Sequence, residues 1–391
     1  MRRIIGYAVL ALTLSASPLA TANAAELLIG YLTATTGPFV GISRSNQIAA
    51  HIAIDQINAK GGVDGNKLRL ITFDTSGKPD QAVVGLRKLA DDDKVLAVIG
   101  PFSSSEVSAV FPAGERAGIV TMSMASSAPK LAAPYKYAFR NTSDEGYMFG
   151  KLLQTLASRN LPRVTAAIAY ATDDTISKVM GTAVLPNTMK KAGIDLKGSV
   201  NFELTVFDLS PQVSQLAQLD PDLVGVGSPA DAAIKLVKEM RRQGMKSRIV
   251  AGSTIADPDL PAKMGTDGNG TLVTTTFLAG LDDNTRAFAA DFAQRAKAEG
   301  NDRIEPSQFD ASTYDIVRFY AWAIQQAHIT GDPAKLGAER MAIRDALRGM
   351  KNLPALEGAI SIGEDGDALK PVYIIEMKDN KWQLLDKYPA G

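Results

Sequence analysis

Residues 94–128 read KVLAVIGPFSSSEVSAVFPAGERAGIVTMSMASSA. Val95 to Ile99 is a short unbroken apolar run, the form of a strand buried on both faces. Glu106 to Ala117 reads as a helix, and Ile119 to Met122 as a second buried strand. Strand, helix and strand in this order form the βαβ unit of a parallel sheet covered by helices. The serines fall at the joints. Ser103-Ser104-Ser105 separates the first strand from the helix, and Ser126-Ser127 follows the second strand.

The same alternation extends in both directions. Upstream, Leu27 to Leu32 is a strand ended by Thr35-Thr36-Gly37-Pro38. Ser43 to Ala59 is a helix with Ile48, Ile52, Ile54 and Ile57 near helical spacing, stopped by Gly61-Gly62. Leu68 to Phe73 alternates as a strand, and Pro79 to Asp92 is a helix. Downstream, a second series begins near Asp144. Its helices are 146–159, 177–192, 211–218 and 230–243. Its strands are 164–170, 199–204, 223–226, 248–251 and 271–276. Helices 284–299, 311–328 and 339–350 follow. Pro371 to Ile375 and Lys381 to Leu385 close the chain as a hairpin around Asp379-Asn380. The pattern is α/β, one architecture used twice.

Composition narrows the function. The 391 residues hold 42 Lys+Arg, 42 Asp+Glu, 2 His and no Cys. A zero formal charge argues against nucleic acid as partner. Without cysteine there is no disulfide, thiolate metal site or cysteine nucleophile. Two distant histidines make a zinc centre or a histidine triad hard to build. At roughly 150 residues per domain, the length suggests two to three domains. The first 24 residues have the order of a secretory signal: Arg2-Arg3, an apolar run from Ile4 to Leu14, then Ala22-Asn23-Ala24. That run is shorter than the about 20 apolar residues a membrane span needs. Cleavage after Ala24 predicts export to a bacterial periplasm, where a fold of this size needs no staples.

Catalytic motifs are weak. Gly225-x-Gly227-x-x-Ala230 follows a strand and opens a helix, as a dinucleotide fingerprint does. The acid expected about 20 residues later is replaced by Met245 and Lys246, and Pro229 interrupts the loop. A dinucleotide-dependent enzyme is the remote reading, and no cofactor is expected. His51 and Asp55 read as an ordinary helical pair, and Asp91-Asp92-Asp93 as a solvated helix end, so no metal is expected either. The serine joints carry more. Hydroxyls beside free N–H groups at helix starts either make an anion site or simply cap the helix. Two such turns after parallel strands converge at the carboxyl edge of the sheet, where open α/β folds bind ligands.

Ile57-Asn58-Ala59-Lys60-Gly61-Gly62-Val63 with Gly65 resembles the end of the first helix in the periplasmic leucine/isoleucine/valine-binding proteins. Asp74, Pro79 and Ala82 match the family spacing after the second strand. Val98-Ile99-Gly100 with Ser103 to Ser105, and Gly118-Ile119 before Ser126-Ser127, extend the match. In element order it spans essentially the whole mature chain. The resemblance implies a type I periplasmic binding protein: two doubly wound α/β lobes with parallel sheets, joined by a three-strand hinge. Lobe 1 is then 25–141 with 276–357, and lobe 2 is 142–275 with 358–391. The crossings fall near Arg140, Thr275 and Gly358. The implied function is solute capture for an ABC importer, without catalysis. A monomer closes on a small carboxylate and is read by an inner-membrane permease.

The resemblance also implies site residues. Ser104 falls on the serine that holds the ligand carboxylate. Ser127 falls on a threonine at the head group, with Ala125 and Ser126 beside it. Phe102 and Ile42 occupy pocket-wall positions. The departures fall mainly in the second lobe. Thr175 stands for one tyrosine, Pro229 or Ala230 for another, and Ser253 for the glutamate that neutralises a ligand ammonium. Gly77 and Ser103 stand at the positions of the family disulfide. A desolvated ammonium without a carboxylate is costly. The expectation is therefore an aromatic acid of benzoate or phenylpropanoid type, with a branched-chain or other amino acid as the alternative. Asp173 and Asp174 either cap the next helix or supply the missing carboxylate. Arg44 is either a second carboxylate contact or a solvated helix-start residue.

Overall fold

The computed structural model describes residues 26–390, so the segment 1–24, expected to be a secretory signal, lies outside the described residues. The first series builds β1 (Glu26–Thr33), α1 (Val40–Ala59), β2 (Lys67–Asp74), α2 (Pro79–Arg87), β3 (Ala97–Ile99), α3 (Ser104–Ala117), β4 (Val120–Ser123) and β5 (Ala138–Arg140). These strands form one parallel sheet, ordered β2-β1-β3-β4-β5. Its strands read as apolar runs because both faces are covered. Leu27, Ile29 and Tyr31 of β1 join one core, while Leu32 joins the core on the opposite face.

The second series builds α4 (Glu145–Ser158), β6 (Thr165–Ala171), α5 (Thr175–Val179), α6 (Leu185–Lys191), β7 (Asp195–Phe202), α7 (Ser210–Leu219), β8 (Leu223–Gly227), α8 (Ala230–Arg242), β9 (Arg248–Ala251), α9 (Leu260–Met264) and β10 (Leu272–Thr275). The chain then makes α10 (Asp283–Ala298), α11 (Gln308–Gln326), α12 (Leu336–Arg348), β11 (Leu353–Ala355), β12 (Gly358–Ile362), β13 (Ala368–Leu369), β14 (Val372–Lys378) and β15 (Lys381–Tyr388). The second sheet runs β15-β14-β10-β9-β8-β6-β7, parallel except for the antiparallel pairings β10–β14 and β14–β15. Asp379 and Asn380 turn that hairpin with positive φ at both positions, as a tight two-residue turn requires.

Helices α10 to α12 return to the first sheet. Phe292, Phe319, Ile343 and Leu347 lie in its core, and the Tyr320 hydroxyl donates to the Val98 carbonyl at 2.6 Å. The chain passes between the sheets after Arg140, after Thr275 and at Lys370. The third passage falls beyond Gly358, because Ile360 and Ile362 of β12 still pack in the first core. β11 to β13 form a small antiparallel sheet, tied to the end of β5 by a bridge between Arg140 and Asp367.

The three passages meet in one buried polar centre. The Lys370 ammonium donates to the Asn141 carbonyl at 2.8 Å and to Glu357 Oε2 at 2.5 Å. Thr276 Oγ1 donates to Glu357 Oε1 at 2.6 Å. Asp315 of α11 accepts from Leu356 N at 2.8 Å and Glu357 N at 3.1 Å.

Candidate functional site

The first lobe presents two serine turns at the carboxyl edge of its sheet. Ser103 caps α3 in a capping box: its hydroxyl accepts from Glu106 N, while its own N–H donates to the Glu106 carboxylate at 3.2 Å. Capping therefore falls to Ser103. Ser104 is the first helical residue, where the backbone N–H has no intrahelical acceptor, and it is buried. In the second turn, Ser123 Oγ accepts from Ala125 N and Ser126 N and donates to the Pro101 carbonyl at 2.7 Å. One hydroxyl thus ties the two turns together. Arg140 holds the same turn from below, donating to the carbonyls of Ser126 at 2.9 Å and Ala128 at 2.5 Å. Ala125, Ser126 and Ser127 are all buried.

An aromatic wall stands beside these turns. The half-buried Phe102 ring lies 5.5 Å from Phe39 and 5.2 Å, edge-on, from Phe309. Gly77 makes room for it: a Cβ there would come within 2.9 Å of the Phe39 ring, and its φ of +70° disfavours any side chain. Ile42 is half-buried in the first turn of α1, and Arg44 is exposed on the same helix.

The lobes meet on a carboxylate that the sequence reading did not single out. Glu145 opens α4 and is fully buried. It accepts from Ser127 Oγ of the first lobe at 3.3 Å. From the second lobe it accepts from Ser253 N at 3.1 and 3.2 Å and from Ser253 Oγ. Burial pushes the Glu145 carboxyl above its ordinary range, against the pull of these serine donors. Gln308 of α11 closes the other side, donating to the Ser253 carbonyl at 2.8 Å. Ser127 and Ser253, read from separate halves of the sequence, thus share one partner. The only advance sign of Glu145 was an acid at a helix start, where the helix dipole favours one anyway.

The remaining second-lobe residues lie at helix starts. Thr175 is the first residue of α5 and is exposed, and α5 touches α3 across the cleft. Pro229 is half-buried at the cap of α8. Both acids weighed as the missing carboxylate have local work. Asp174 caps α5 by accepting from Ser177 N at 2.9 Å, and Asp173 accepts from Leu204 N at 3.0 Å. Gly225 and Gly227 serve close packing: a Cβ at Gly227 would come within 2.9 Å of the Ser177 carbonyl, and one at Gly225 within 2.9 Å of Met189. No group of three or more His, Cys, Asp or Glu suited to a metal occurs among the described residues.

This geometry, two sheets with serine turns and helix starts opposed across three chain crossings, has counterparts among known proteins. A family model described as periplasmic binding protein matches residues 26–381. The chain belongs to the periplasmic binding protein family. The Leu/Ile/Val/Thr-binding protein of Salmonella typhimurium is 28% identical over 67% of this chain and 71% of its own length. The branched-chain amino acid substrate-binding protein of Streptococcus pneumoniae, solved with isoleucine, superposes with a TM-score of 0.79 at 21% identity, covering 93% of this chain and 99% of that one. A solute-binding protein of an ABC transporter from Rhodopseudomonas palustris, solved with 3,4-dihydroxybenzoic acid, superposes with a TM-score of 0.78 at 19% identity, covering 93% and 98%. These periplasmic binding proteins capture solutes, and this chain has their type I fold.

Proposed function

We propose that this protein is the periplasmic solute-binding component of an ABC importer, and that it closes its lobes on an aromatic acid of benzoate or phenylpropanoid type. The Phe39–Phe102–Phe309 wall carries the ligand class. A carboxylate held at the start of α3, by the Ser104 hydroxyl and backbone and by Ser127, leaves its body against these rings, where a flat apolar group packs edge-on or offset. Ile42 extends the wall. Thr175, Pro229 and Ser253 supply small groups from the second lobe. The Rhodopseudomonas relative solved with a dihydroxybenzoic acid supports this class. Export through residues 1–24, action as a monomer and delivery to an inner-membrane permease complete the proposal. A ligand touching both lobes favours only the closed state, so binding and closure are one equilibrium.

A second reading, an amino acid, is favoured by Glu145. A carboxylate stands against Ser253, the residue that replaces the family's glutamate. The test is thermal unfolding of refolded, ligand-free protein against two panels, aliphatic amino acids and aromatic acids. A ligand at 100 times its Kd stabilises by about 2.7 kcal/mol. Stabilisation by aromatic acids alone supports the first reading, and stabilisation by aliphatic amino acids alone replaces it with the second. In either case Ser104→Ala is expected to weaken carboxylate binding by about 1.5–3 kcal/mol, the worth of a charge-assisted hydrogen bond. Unchanged affinity removes Ser104 from the clamp.

A further inference from the structure

Glu145 has acceptor capacity that the protein itself leaves unused. Its partners among the described residues are neutral donors from Ser127 and Ser253. None of the ion pairs among the described residues includes it. The donors crowd onto Oε1. Oε2 receives only the Ser253 N–H, which it shares with Oε1. An ionised carboxylate offers about four acceptor positions. The Gly252 backbone packs directly against Oε2, where a Cβ would fall 2.3 Å from it, so no side chain at 252 competes for that oxygen. A fully buried carboxylate at the meeting of both lobes, with one oxygen under-used, is a costly feature unless a ligand completes it.

We infer that Glu145 is the specificity-determining residue of the cleft. It accepts a hydrogen bond from a donor that the ligand carries beyond its own carboxylate, either a ring hydroxyl or an ammonium. The inference rests on the carboxylate-ligand reading above and sharpens it. The first-lobe turns hold any small carboxylate, and Glu145 chooses among them. A ligand without the donor closes the lobes and leaves the spare capacity of Oε2 unfilled, whereas a ligand with the donor fills it. Sites built to hydrogen-bond a ligand group reject the analogue that lacks it far more strongly than apolar pockets reject a missing methylene. Burial acts in the same direction, because it already works against the carboxylate's charge.

The experiment is calorimetric titration of the full-length mature protein with two matched pairs. Benzoate against 3- and 4-hydroxybenzoate tests a ring hydroxyl. 4-Methylpentanoate against leucine tests an ammonium. The wild type is expected to bind the donor-bearing member of one pair at least about 10-fold more tightly. Glu145→Ala should bring the two members within about 3-fold by weakening the donor-bearing one alone. Glu145→Gln, which keeps the shape, provides the same comparison if the alanine variant does not fold. A ratio that survives both substitutions, or an equal loss for both members, overturns the inference while leaving the carboxylate reading standing. If the wild type binds no member of either pair, both fall together.

Discussion

Arg140 is the largest fully buried side chain among the described residues, and it does two jobs at the end of β5. Its guanidinium pairs through Nε and Nη2 with Asp367, at 2.6 Å for the first contact, and its Nη1 holds the Ser126 and Ala128 carbonyls. The planar fork makes this possible, and lysine, a single point charge, cannot reach three acceptors on two segments. Arg140→Met, which removes the charge as well as the fork, is therefore expected to strand the buried Asp367 carboxylate. The cost should be on the order of 3–5 kcal/mol in urea unfolding. It should also weaken carboxylate binding, because the Ser126–Ser127 turn loses its anchor. A variant with wild-type stability and affinity would refute this dual role. At this scale the sequence reading singled out residues where chemistry comes in runs: Ser104, Ser126 and Ser127 stand in serine clusters after strands. It missed Arg140, Ser123 and Glu145. Each is a single residue of ordinary type at the end of an element, and each acquires its role from partners distant in sequence.

The joint between β2 and α3 shows how an element can replace a covalent link. Gly77 and Ser103 stand where the family resemblance places a disulfide. In their neighbourhood Glu106 gathers Thr75 Oγ1 at 2.5 Å, Ser103 N at 3.2 Å and Ser103 Oγ at 2.6 Å. One carboxylate thus ties the loop after β2 to the start of α3 and completes the helix cap. Glu106→Ala removes the capping-box acceptor and leaves the buried Thr75 hydroxyl, which still accepts from Gly77 N, with no acceptor for its own proton. The expected loss is about 1–3 kcal/mol by chemical denaturation. Glu106→Gln should lose less, because glutamine can still serve the capping box. Equal losses would mean that the carboxylate charge matters more than the hydrogen-bond geometry. Long helices and buried strands were legible because their periodicity repeats. β5 and β11 to β13, of two to five residues each, were not. Such strands are too short to show alternation, and tertiary pairing alone defines them. That is why the third crossing moved from Gly358 to Lys370.

The whole molecule turns on the polar centre where its three crossings meet. Each sheet has its own apolar core, and the connection between them is a charge cluster: two carboxylates, Asp315 and Glu357, with one ammonium, Lys370. Burial, then the nearby Glu357 charge, push the Asp315 carboxyl up to about 7, against the pull of its backbone donors and Lys370. Its ordinary value is 3.8. Below that value both the folded and unfolded chains hold the proton, and the contribution to stability is complete. As pH rises, the unfolded chain releases the proton that the folded chain keeps, so stability falls from near pH 4 until the folded group ionises near pH 7. Asp315→Asn removes this titration and should flatten the pH dependence of the urea midpoint across that window. A wild-type profile no steeper than that of the variant rejects the assignment. Lys370→Met tests the same centre from the other side. Without the ammonium, Asp315 and Glu357 both lose the charge that draws them down, so the fall should still begin near pH 4 but extend to higher pH. At neutral pH the variant should be less stable by roughly 3–5 kcal/mol, the cost of breaking a buried pair. Because this centre joins all three crossings, the same substitution should lower ligand affinity without touching the cleft. Calorimetry alongside the melt separates that loss from simple unfolding.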